Sequence, residues 1–268
     1  MKLQTTVDIV PSEWKIGYED EILMLGSCFS DEIGEQMRQR YLHVTCNPFG
    51  TLYNPLSIAQ ALTMNEMPAL VEHEGLWHSM AHHGSFSRAD KNEAEQAIRT
   101  SIETMQQALK EATVVIVTFG TAWVYEKDGE IVGNCHKLPE SCFTRRRLSV
   151  EEIVETWKPI LAQYPDKHWL FTVSPIRHIR DGLHENQLSK ATLLQAVEQL
   201  GDYYPSYEIM LDELRDYRFY ADDLVHPSSL AVNYIWERFV DTFCTNQTKN
   251  ELVLQHKRWK HEHHISLH

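Results

Sequence analysis

Three residues have the types and the chain order that a nucleophilic hydrolase needs: Ser27 near the N-terminus, and Asp223 and His226 about two hundred residues later. A serine hydroxyl is a poor nucleophile until a base removes its proton. In an Asp-x-x-His loop, the carboxylate can reach back to Nδ1 of the histidine. This contact fixes the tautomer and leaves Nε2 free to face a hydroxyl. Together the three residues predict a Ser-His-Asp triad.

Each of these residues also has a structural interpretation. Serine is favoured as the N-cap of a helix, and strand–helix junctions often carry one. Asp222 and Asp223 could equally cap the following helix, with His226 in solvent, since the chain has 15 histidines. The sequence around Ser27 is not the Gly-x-Ser-x-Gly elbow of α/β-hydrolases, because leucine and phenylalanine occupy the outer glycine positions. The predicted triad therefore depends on the combination of residues.

Apolar patterning predicts the elements that would position the triad. Short β-branched runs are typical of buried parallel strands, and wider periodic patterns predict helices. The predicted strands of the main sheet are Ile22–Leu25, Thr113–Phe119, Trp169–Val173 and Tyr207–Leu211. The predicted helices are Asp31–Tyr41 with Ser30 as N-cap, Leu56–Met64, Lys91–Glu111, Ser149–Tyr164, Gln187–Leu200 and Ser228–Phe243. This alternation predicts an α/β fold, a three-layer α/β/α sandwich with a mostly parallel sheet.

Two further segments, outside the main sheet, carry turn signals. Asp128-Gly129 between two apolar runs predicts a β-hairpin, and Leu76–Arg88 reads as a hairpin or an insert. In the predicted sandwich, Ser27 lies at the carboxyl edge of the sheet, where parallel α/β sheets bind ligands.

Composition bounds the class of protein. A length of 268 residues suits one domain, predicted over residues 1–268, with a loosely attached tail over 249–268. The net charge of -13 argues against nucleic acid or an anionic membrane surface as partner. No segment approaches the roughly 20 apolar residues of a membrane span. Five widely spaced cysteines and the lack of a signal-peptide pattern in Met1–Pro11 favour a cytoplasmic location, with a removed leader as the alternative.

A second group of polar residues is rich in histidine. Its members are His78, His82, His83, His178 and His184. Two histidines and a carboxylate can bind zinc, but no His-Glu-x-x-His or comparable spacing is present, so no metal site is predicted. Arg177 and Lys190 either neutralise an anionic substrate or pair with the many carboxylates. Trp77, Phe86 and Trp123 either stack on a sugar or acyl group or belong to the core.

Several motifs resemble one known family. Gly26-Ser27-Cys28-Phe29-Ser30 resembles the signature of the GSCFA-domain proteins, a group within the SGNH/GDSL hydrolase superfamily, with Ser30 in place of the final alanine. Further matches are Asn47-Pro48-Phe49-Gly50-Thr51, Tyr53-Asn54-Pro55, Gly120-Thr121-Ala122-Trp123-Val124-Tyr125, Ser174-Pro175-Ile176-Arg177-His178 and Asn186-x-x-Ser189-Lys190. The resemblance runs from about residue 20 to about residue 245. It implies an SGNH hydrolase-like, flavodoxin-like fold with Ser27 as nucleophile, His226 as base and Asp223 as its partner.

The resemblance also implies an oxyanion hole, in which the chain departs from the superfamily. SGNH enzymes use a glycine and an asparagine as donors, and the backbone N–H of Gly50 is the candidate for the first. Where the superfamily has Gly-x-Asn, this chain has Gly120-Thr121-Ala122. Either Thr121 or a backbone N–H replaces the asparagine, or Asn47 or Asn54 reaches in from a neighbouring loop.

These observations predict a serine esterase of SGNH type that needs no cofactor. The expected substrate is a small-molecule ester, in particular an O-acyl (acetyl) group on a carbohydrate or small metabolite, with His184 and Arg177 as further binding residues. The triad implies that Ser27 Oγ and His226 Nε2 lie about 2.6–3.5 Å apart. The alternatives are a binding protein on a degenerate SGNH fold and a metal-dependent hydrolase that uses the extra histidines.

Overall fold

The computed structural model describes residues 4–263. The strands are β1 (Glu21–Gly26), β2 (His43–Cys46), β3 (Leu70–His73), β4 (Leu76–Ser79), β5 (Val114–Phe119), β6 (Trp123–Lys127), β7 (Glu130–Val132), β8 (Thr144–Arg147), β9 (His168–Val173) and β10 (Asp202–Tyr204). The helices are α1 (Cys28–Arg38), α2 (Pro55–Thr63), α3 (Lys91–Glu111), α4 (Val150–Gln163), α5 (Leu183–Val197), α6 (Ser206–Glu208), α7 (Ser229–Phe243) and α8 (Asn246–Glu262).

Five parallel strands form the central sheet, in the order β2-β1-β5-β9-β10. Every residue of β5 is buried, as its β-branched sequence predicts for a strand covered on both faces. Helices α2 to α5 pack on one face of the sheet, and α1, α7 and the Leu252 side chain of α8 belong to the cluster on the other. The predicted three-layer α/β/α sandwich is therefore confirmed, with the strand order of flavodoxin-like folds.

Two small antiparallel sheets are inserted into this sandwich. The hairpin β3–β4 lies between α2 and α3, and a three-stranded sheet, β7-β6-β8, lies between β5 and α4. The turn at Asp128-Gly129 joins β6 to β7, with both residues at positive φ, as the predicted hairpin requires. The three-stranded sheet leaves the core at the carboxyl end of β5 and therefore lies beside the predicted site.

Two predicted elements differ from the structure. Tyr207–Leu211 is helical rather than a strand: α6 continues as a π-helical turn over Ile209–Leu214, and the last strand is Asp202–Tyr204. A short apolar run cannot be assigned to helix or strand by periodicity alone. Helix α5 begins at Leu183, four residues before the predicted start, because the chain turns into it at Gly182, which has a φ of +89°.

The first helix also begins earlier than predicted. Its N-cap is Ser27 and not Ser30, because α1 starts directly after the glycine that ends β1. Ser30 lies inside the helix, where its buried hydroxyl donates to the carbonyl of Leu25 and is bonded to Thr118 Oγ1 at 2.8 Å. This shift places Ser27, rather than Ser30, at the junction of sheet and helix.

At the C-terminus, α8 packs beside α7. Leu252 is 2 % exposed, and Lys249 Nζ lies 2.9 Å from Asp241 Oδ1. The last residues of the predicted tail, 264–268, lie outside the described residues. Within residues 4–263, no helix has the length and apolar character that crossing a bilayer requires.

Candidate active site

A cavity of about 440 Å³ opens at the carboxyl edge of the central sheet. Ser27, Gly120 and Ser174 line it, and they directly follow β1, β5 and β9. Parallel strands end at the same edge, so the loops that follow them converge there. The remaining walls come from the loop before α2, from the three-stranded sheet with the segment that follows β7, and from the loops before α5 and α7. Cavities of this volume suit small molecules.

Ser27 is held at the floor of this cavity by the backbone around it. Gly26 has a φ of +129°, and a Cβ atom there would lie 2.1 Å from the carbonyl oxygen of Thr118. Only glycine therefore lets β1 run beside β5 and turn sharply into α1. Ser27 is 1 % exposed, makes no side-chain capping bond, and its Oγ has no hydrogen-bond partner among the described residues. A buried, unpaired hydroxyl is costly and typical of functional positions.

Asp223 and His226 form the expected hydrogen-bonded pair. Asp223 Oδ2 lies 2.6 Å from His226 Nδ1, and Oδ1 accepts the backbone N–H groups of Val225 and His226 at 2.8 and 2.9 Å. These bonds, of which the two backbone ones contribute most, lower the pKa of Asp223 to about 2. The carboxylate is therefore ionised at neutral pH and holds Nδ1 of the ring, which leaves Nε2 as the free nitrogen.

The loop that carries this pair is fixed at several points. Leu224 adopts a φ of +58°, which gives the tight turn between the two residues. The N–H of Ala221 donates to the carbonyl of His226 at 2.8 Å, and the N–H of Arg177 donates to the carbonyl of Val225 at 3.2 Å. The Asp-His loop is thus tied directly to the loop after β9, which also lines the cavity.

The structure brings Ser27 and His226 into the same cavity, but it does not join them directly. Because Ser27 Oγ has no hydrogen-bond partner among residues 4–263, the expected bond to Nε2 of His226 is not formed here. Catalytic hydrogen bonds are often long in unliganded sites and shorten when substrate binds. The arrangement therefore has the components of a triad, with the serine unpaired.

The backbone N–H groups of Ser27, Gly50 and Thr121 are each engaged in a hydrogen bond of the fold. The N–H of Ser27 donates to the carbonyl of Thr118 at 3.2 Å, that of Gly50 to Asn47 at 2.7 Å, and that of Thr121 to Tyr53 at 2.9 Å. Gly50 is also not among the residues that line the cavity. Its φ of +75° and its close approach to His83 give it a structural role in the turn.

The hydroxyl of Thr121 is engaged as well, and the two asparagines have different positions. Thr121 lines the cavity, but its Oγ1 is bonded to Ser189 Oγ at 3.1 Å and accepts the N–H of Trp123. Asn47 lies outside the cavity lining, where its amide bonds Gly26 and Asp31.

Of the two asparagines, it is Asn54 that lines the cavity. Its Oδ1 caps α2 by accepting the N–H of Ser57, and its Nδ2 donates to Ser57 Oγ at 2.9 Å. A primary amide has two N–H groups, so one hydrogen of Nδ2 has no partner among the described residues.

One wall of the cavity is a cluster that sequence reasoning largely missed. The guanidinium carbon of Arg145 lies 4.3 Å from the ring centroid of Trp123 and 5.2 Å from that of Tyr125. Asp181 binds both terminal nitrogens of Arg145, at 2.7 and 2.5 Å, and its own pKa is lowered mainly by these bonds. Arg145 lies opposite Tyr125 in the β6–β8 pairing, and that register was not visible in the sequence.

His178 completes this wall. Its Nδ1 lies 3.2 Å from Asp181 Oδ2, although the angle does not make a hydrogen bond, and burial lowers its pKa. His178 and Asp181 are three residues apart, as are Asp223 and His226, so the cavity contains two imidazoles with a carboxylate neighbour.

Two other predicted binding residues do not extend into the cavity as expected. His184 is exposed on the first turn of α5 and does not line the cavity. Arg177 does line it, but its guanidinium lies over the rings of Tyr220 and Tyr217, 4.0 and 5.2 Å from their centroids.

The remaining histidines have structural contacts. His82 is fully buried between Ser79 Oγ and Ser101 Oγ and stacks on Phe49 at 4.1 Å. His78 is bonded to the hydroxyl of Ser87 at 2.7 Å. In the described part of the chain, no group of three or more His, Cys, Asp or Glu side chains is arranged to hold a metal ion. These contacts therefore lend no support to the metal-dependent alternative.

The fold and the site define a three-layer α/β/α protein with a candidate nucleophile at the first strand's exit. The chain belongs to the GSCFA family, whose model matches residues 21–239. The matched span contains Ser27, Asp223 and His226. None of the curated proteins searched matches the chain. The match to the family model is the basis for this assignment, and the description of the family names no activity.

Proposed function

We propose that this protein is a serine esterase of the SGNH type, with Ser27 as nucleophile, His226 as base and Asp223 as the residue that orients the base. The observation that carries the proposal is a buried, unpaired Ser27 Oγ in the same cavity as an imidazole held by an ionised carboxylate. The position of Ser27 at the sheet's carboxyl edge and at the start of α1 supports it further, since ligands bind there.

The proposed reaction proceeds in two halves. His226 Nε2 takes the hydroxyl proton of Ser27 as Oγ attacks the acyl carbon, and the resulting imidazolium is stabilised by Asp223. The same proton then passes to the departing alcohol oxygen, which leaves an acyl-enzyme at Ser27. Water, deprotonated by His226, hydrolyses that ester and restores the serine. No cofactor takes part in these steps.

For the oxyanion we propose Asn54 together with the N-terminus of α1. Asn54 lines the cavity and has one amide hydrogen to spare. The first N–H groups of a helix have no partner within the helix, and the helix dipole there favours negative charge. Asn54→Ala is expected to lower kcat by about 10²-fold with a smaller change in KM, because the bond strengthens only as the oxyanion forms. Thr121→Val should change kcat little.

The proposed substrate is a small ester, such as an O-acylated carbohydrate or metabolite. The volume of the cavity supports a small molecule, and Arg145 and His178 offer polar groups beside the aromatic side chains of its wall. We also propose a reducing compartment such as the cytoplasm, which is consistent with five free cysteines in the described chain.

Covalent labelling with a fluorophosphonate tests the proposal. The probe should label Ser27, as mapped by peptide mass spectrometry, and Ser27→Ala should remove both the labelling and the hydrolysis of short-chain aryl esters. His226→Ala should slow labelling by at least about 10²-fold. His178→Ala is the matched control, because His178 lines the same cavity beside a carboxylate, and it should slow labelling less than about tenfold.

The outcomes separate the alternatives. Loss of labelling in His178→Ala but not in His226→Ala would reassign the base. Wild-type protein that neither labels nor cleaves aryl esters would instead favour a binding protein on this fold, for which the engaged backbone donors of the cavity are the supporting observation.

A further inference from the structure

Helix α5 presents three buried polar side chains to the loops that form the cavity. Asn186, Ser189 and Lys190 are 3 %, 1 % and 1 % exposed. Asn186 Oδ1 accepts the N–H of His178 at 2.8 Å, and Ser189 Oγ accepts the N–H of Ala122 at 2.8 Å. One face of α5 thereby holds both the loop after β5 and the loop after β9.

Lys190 binds both loops at once. Its Nζ donates to the carbonyl of Gly120 at 2.8 Å and to that of Ser174 at 2.7 Å, and these two residues line the cavity. No carboxylate lies within 4 Å of Nζ among residues 4–263, so the charge has no anionic partner there. Buried charges in proteins are normally paired, because an uncompensated one is costly.

Few titratable groups surround this ammonium. Those that face it are the thiol of Cys28 on α1, the ring of Tyr207 on α6 at 5.5 Å, and the imidazole of His178 after β9. Burial lowers the pKa of Lys190 to about 7, and a thiolate at Cys28 would raise it. The ammonium is therefore closer to losing its proton near neutral pH than an exposed lysine is, and the thiol of Cys28, which lines the cavity, interacts with its charge.

We propose that Lys190 is a positioning residue that ties together the two loops of the cavity and supplies, from behind Gly120 and Ser174, a positive charge that favours negative charge in the cavity. In the proposed esterase, on which this inference rests, the charge that benefits is the oxyanion formed at Ser27. A fixed charge in a buried site stabilises such a transition state without reorganisation. Lys190 does not itself touch the substrate.

The pH dependence of fluorophosphonate labelling at Ser27 tests whether the charge of Lys190 acts on the cavity. Lys190→Met keeps the volume of the side chain and removes its charge. At about pH 6, Lys190→Met should label roughly tenfold more slowly than wild type, and the two rates should converge by about pH 9, when Lys190 is neutral in the wild type. A merely structural role would give the same deficit at every pH.

Lys167→Met is the matched control. Lys167 is also buried and bonds a backbone carbonyl, that of Ala112 at 2.7 Å, but at the amino edge of the same strands. This variant should keep the wild-type labelling profile. Ser189→Ala loosens the loop after β5 without removing charge, and its labelling should fall, if at all, by the same factor at each pH.

Alkylation of Cys28 by iodoacetamide, mapped by mass spectrometry, gives a second measurement that does not depend on esterase activity. The ratio of wild-type to Lys190→Met rates should again be about tenfold at pH 6 and approach one by pH 9. If Ser27 is not labelled but the Cys28 alkylation rates show this ratio, the proposed esterase function is wrong. The inference that Lys190 places a positive charge at the cavity then still stands. The inference is overturned if the wild-type to Lys190→Met ratios for Ser27 labelling and for Cys28 alkylation do not change with pH. It is also overturned if Lys167→Met gives the same ratios as Lys190→Met. Lys190→Gln serves in its place should Lys190→Met not fold.

Discussion

At the scale of single residues, the two serines at the start of α1 have opposite roles. Ser27 Oγ makes no hydrogen bond within the described residues, whereas Ser30 Oγ bonds both Leu25 and Thr118. The first hydroxyl contributes nothing visible to the fold, and the second satisfies a buried polar group. In the proposed esterase, the Ser27 hydroxyl is available for reaction because no hydrogen bond of the fold depends on it.

This contrast leads to a prediction on stability. Ser27→Ala should change the free energy of unfolding by less than about 0.5 kcal/mol, while Ser30→Ala should lower it by about 1–3 kcal/mol because Thr118 Oγ1 loses its partner. Denaturant unfolding measures both. In the fluorophosphonate assay the relative effects should be reversed: Ser27→Ala should abolish labelling, whereas Ser30→Ala should retain labelling at Ser27. Equal destabilisation by the two substitutions would contradict the assignment of roles.

Asp223 and Lys190 also differ at this scale, although both are charged. Asp223 gains three hydrogen bonds that favour its ionised form, so its pKa falls to about 2. Lys190 makes two hydrogen bonds to carbonyls but loses its contact with solvent, so burial lowers its pKa to about 7. The carboxylate is thus permanently charged at physiological pH, whereas the ammonium is close to titrating.

At the scale of elements, the junction between β1 and α1 depends on Gly26. Any side chain there would meet the carbonyl of Thr118 and would have to adopt a φ that L-residues rarely adopt. Gly26→Ala is expected to destabilise the protein by about 3 kcal/mol or more. Gly129→Ala is the control, since Gly129 also has positive φ but a Cβ atom there would meet open space, and it should cost about 1–2 kcal/mol. Unfolding midpoints in denaturant compare the two.

Local sequence predicted some elements closely, where local signals and tertiary structure agree. Helix α3 has its predicted bounds, and α4 begins within one residue of its predicted start, where Ser149 and Glu152 form a capping box. The β6–β7 hairpin also follows from its turn residues. By contrast, Tyr207–Leu211 was predicted as a strand because a short apolar run suits either structure; in the helix, Ile209 and Met210 pack with α7 while Tyr207 packs in the core on the other face of the sheet.

The candidate site also has residues that the sequence could predict and residues that it could not. The candidate residues Ser27, Asp223 and His226 could be named from the sequence because a strand exit and an Asp-x-x-His spacing are local features of the chain. The oxyanion donors could not, because whether an N–H group is free depends on which carbonyl approaches it in the folded chain. The pairing of Arg145 with Asp181 joins residues 36 positions apart and likewise follows only from the register of β8 and the path of the loop before α5.

At the scale of the whole molecule, a buried histidine couples stability to pH. His82 is fully buried, and burial together with His136 lowers its pKa from 6.5 to about 4. Between these two values the unfolded state binds more protons than the folded state. Stability from this group is therefore complete above about pH 6.5 and is lost as pH falls towards 4, by an amount on the order of 3 kcal/mol.

His82→Gln should reduce this dependence. Its amide can still bond one of the two serines, but it does not titrate, so the loss of unfolding free energy between about pH 7 and pH 4 should be smaller than in wild type. His184→Gln is the control for the substitution itself, because His184 is exposed and takes part in no ion pair among the described residues. Unfolding by denaturant at several pH values gives both slopes. A slope unaltered by His82→Gln would show that other groups govern acid sensitivity.

The three-stranded sheet β7-β6-β8 has a consequence for how proteins of this architecture can diversify. It pairs with no strand of the parallel sheet within residues 4–263, yet it contributes Trp123, Tyr125 and Arg145 to the cavity wall. Apart from core residues such as Val124 and Val132, side chains of this sheet can therefore change while the strand before Ser27 and the loop that carries His226 keep their supports. In the proposed esterase, the residues that line this wall and the residues proposed to react therefore belong to separate parts of the chain, so a new substrate preference could arise in β6–β8 while Ser27, Asp223 and His226 keep their places.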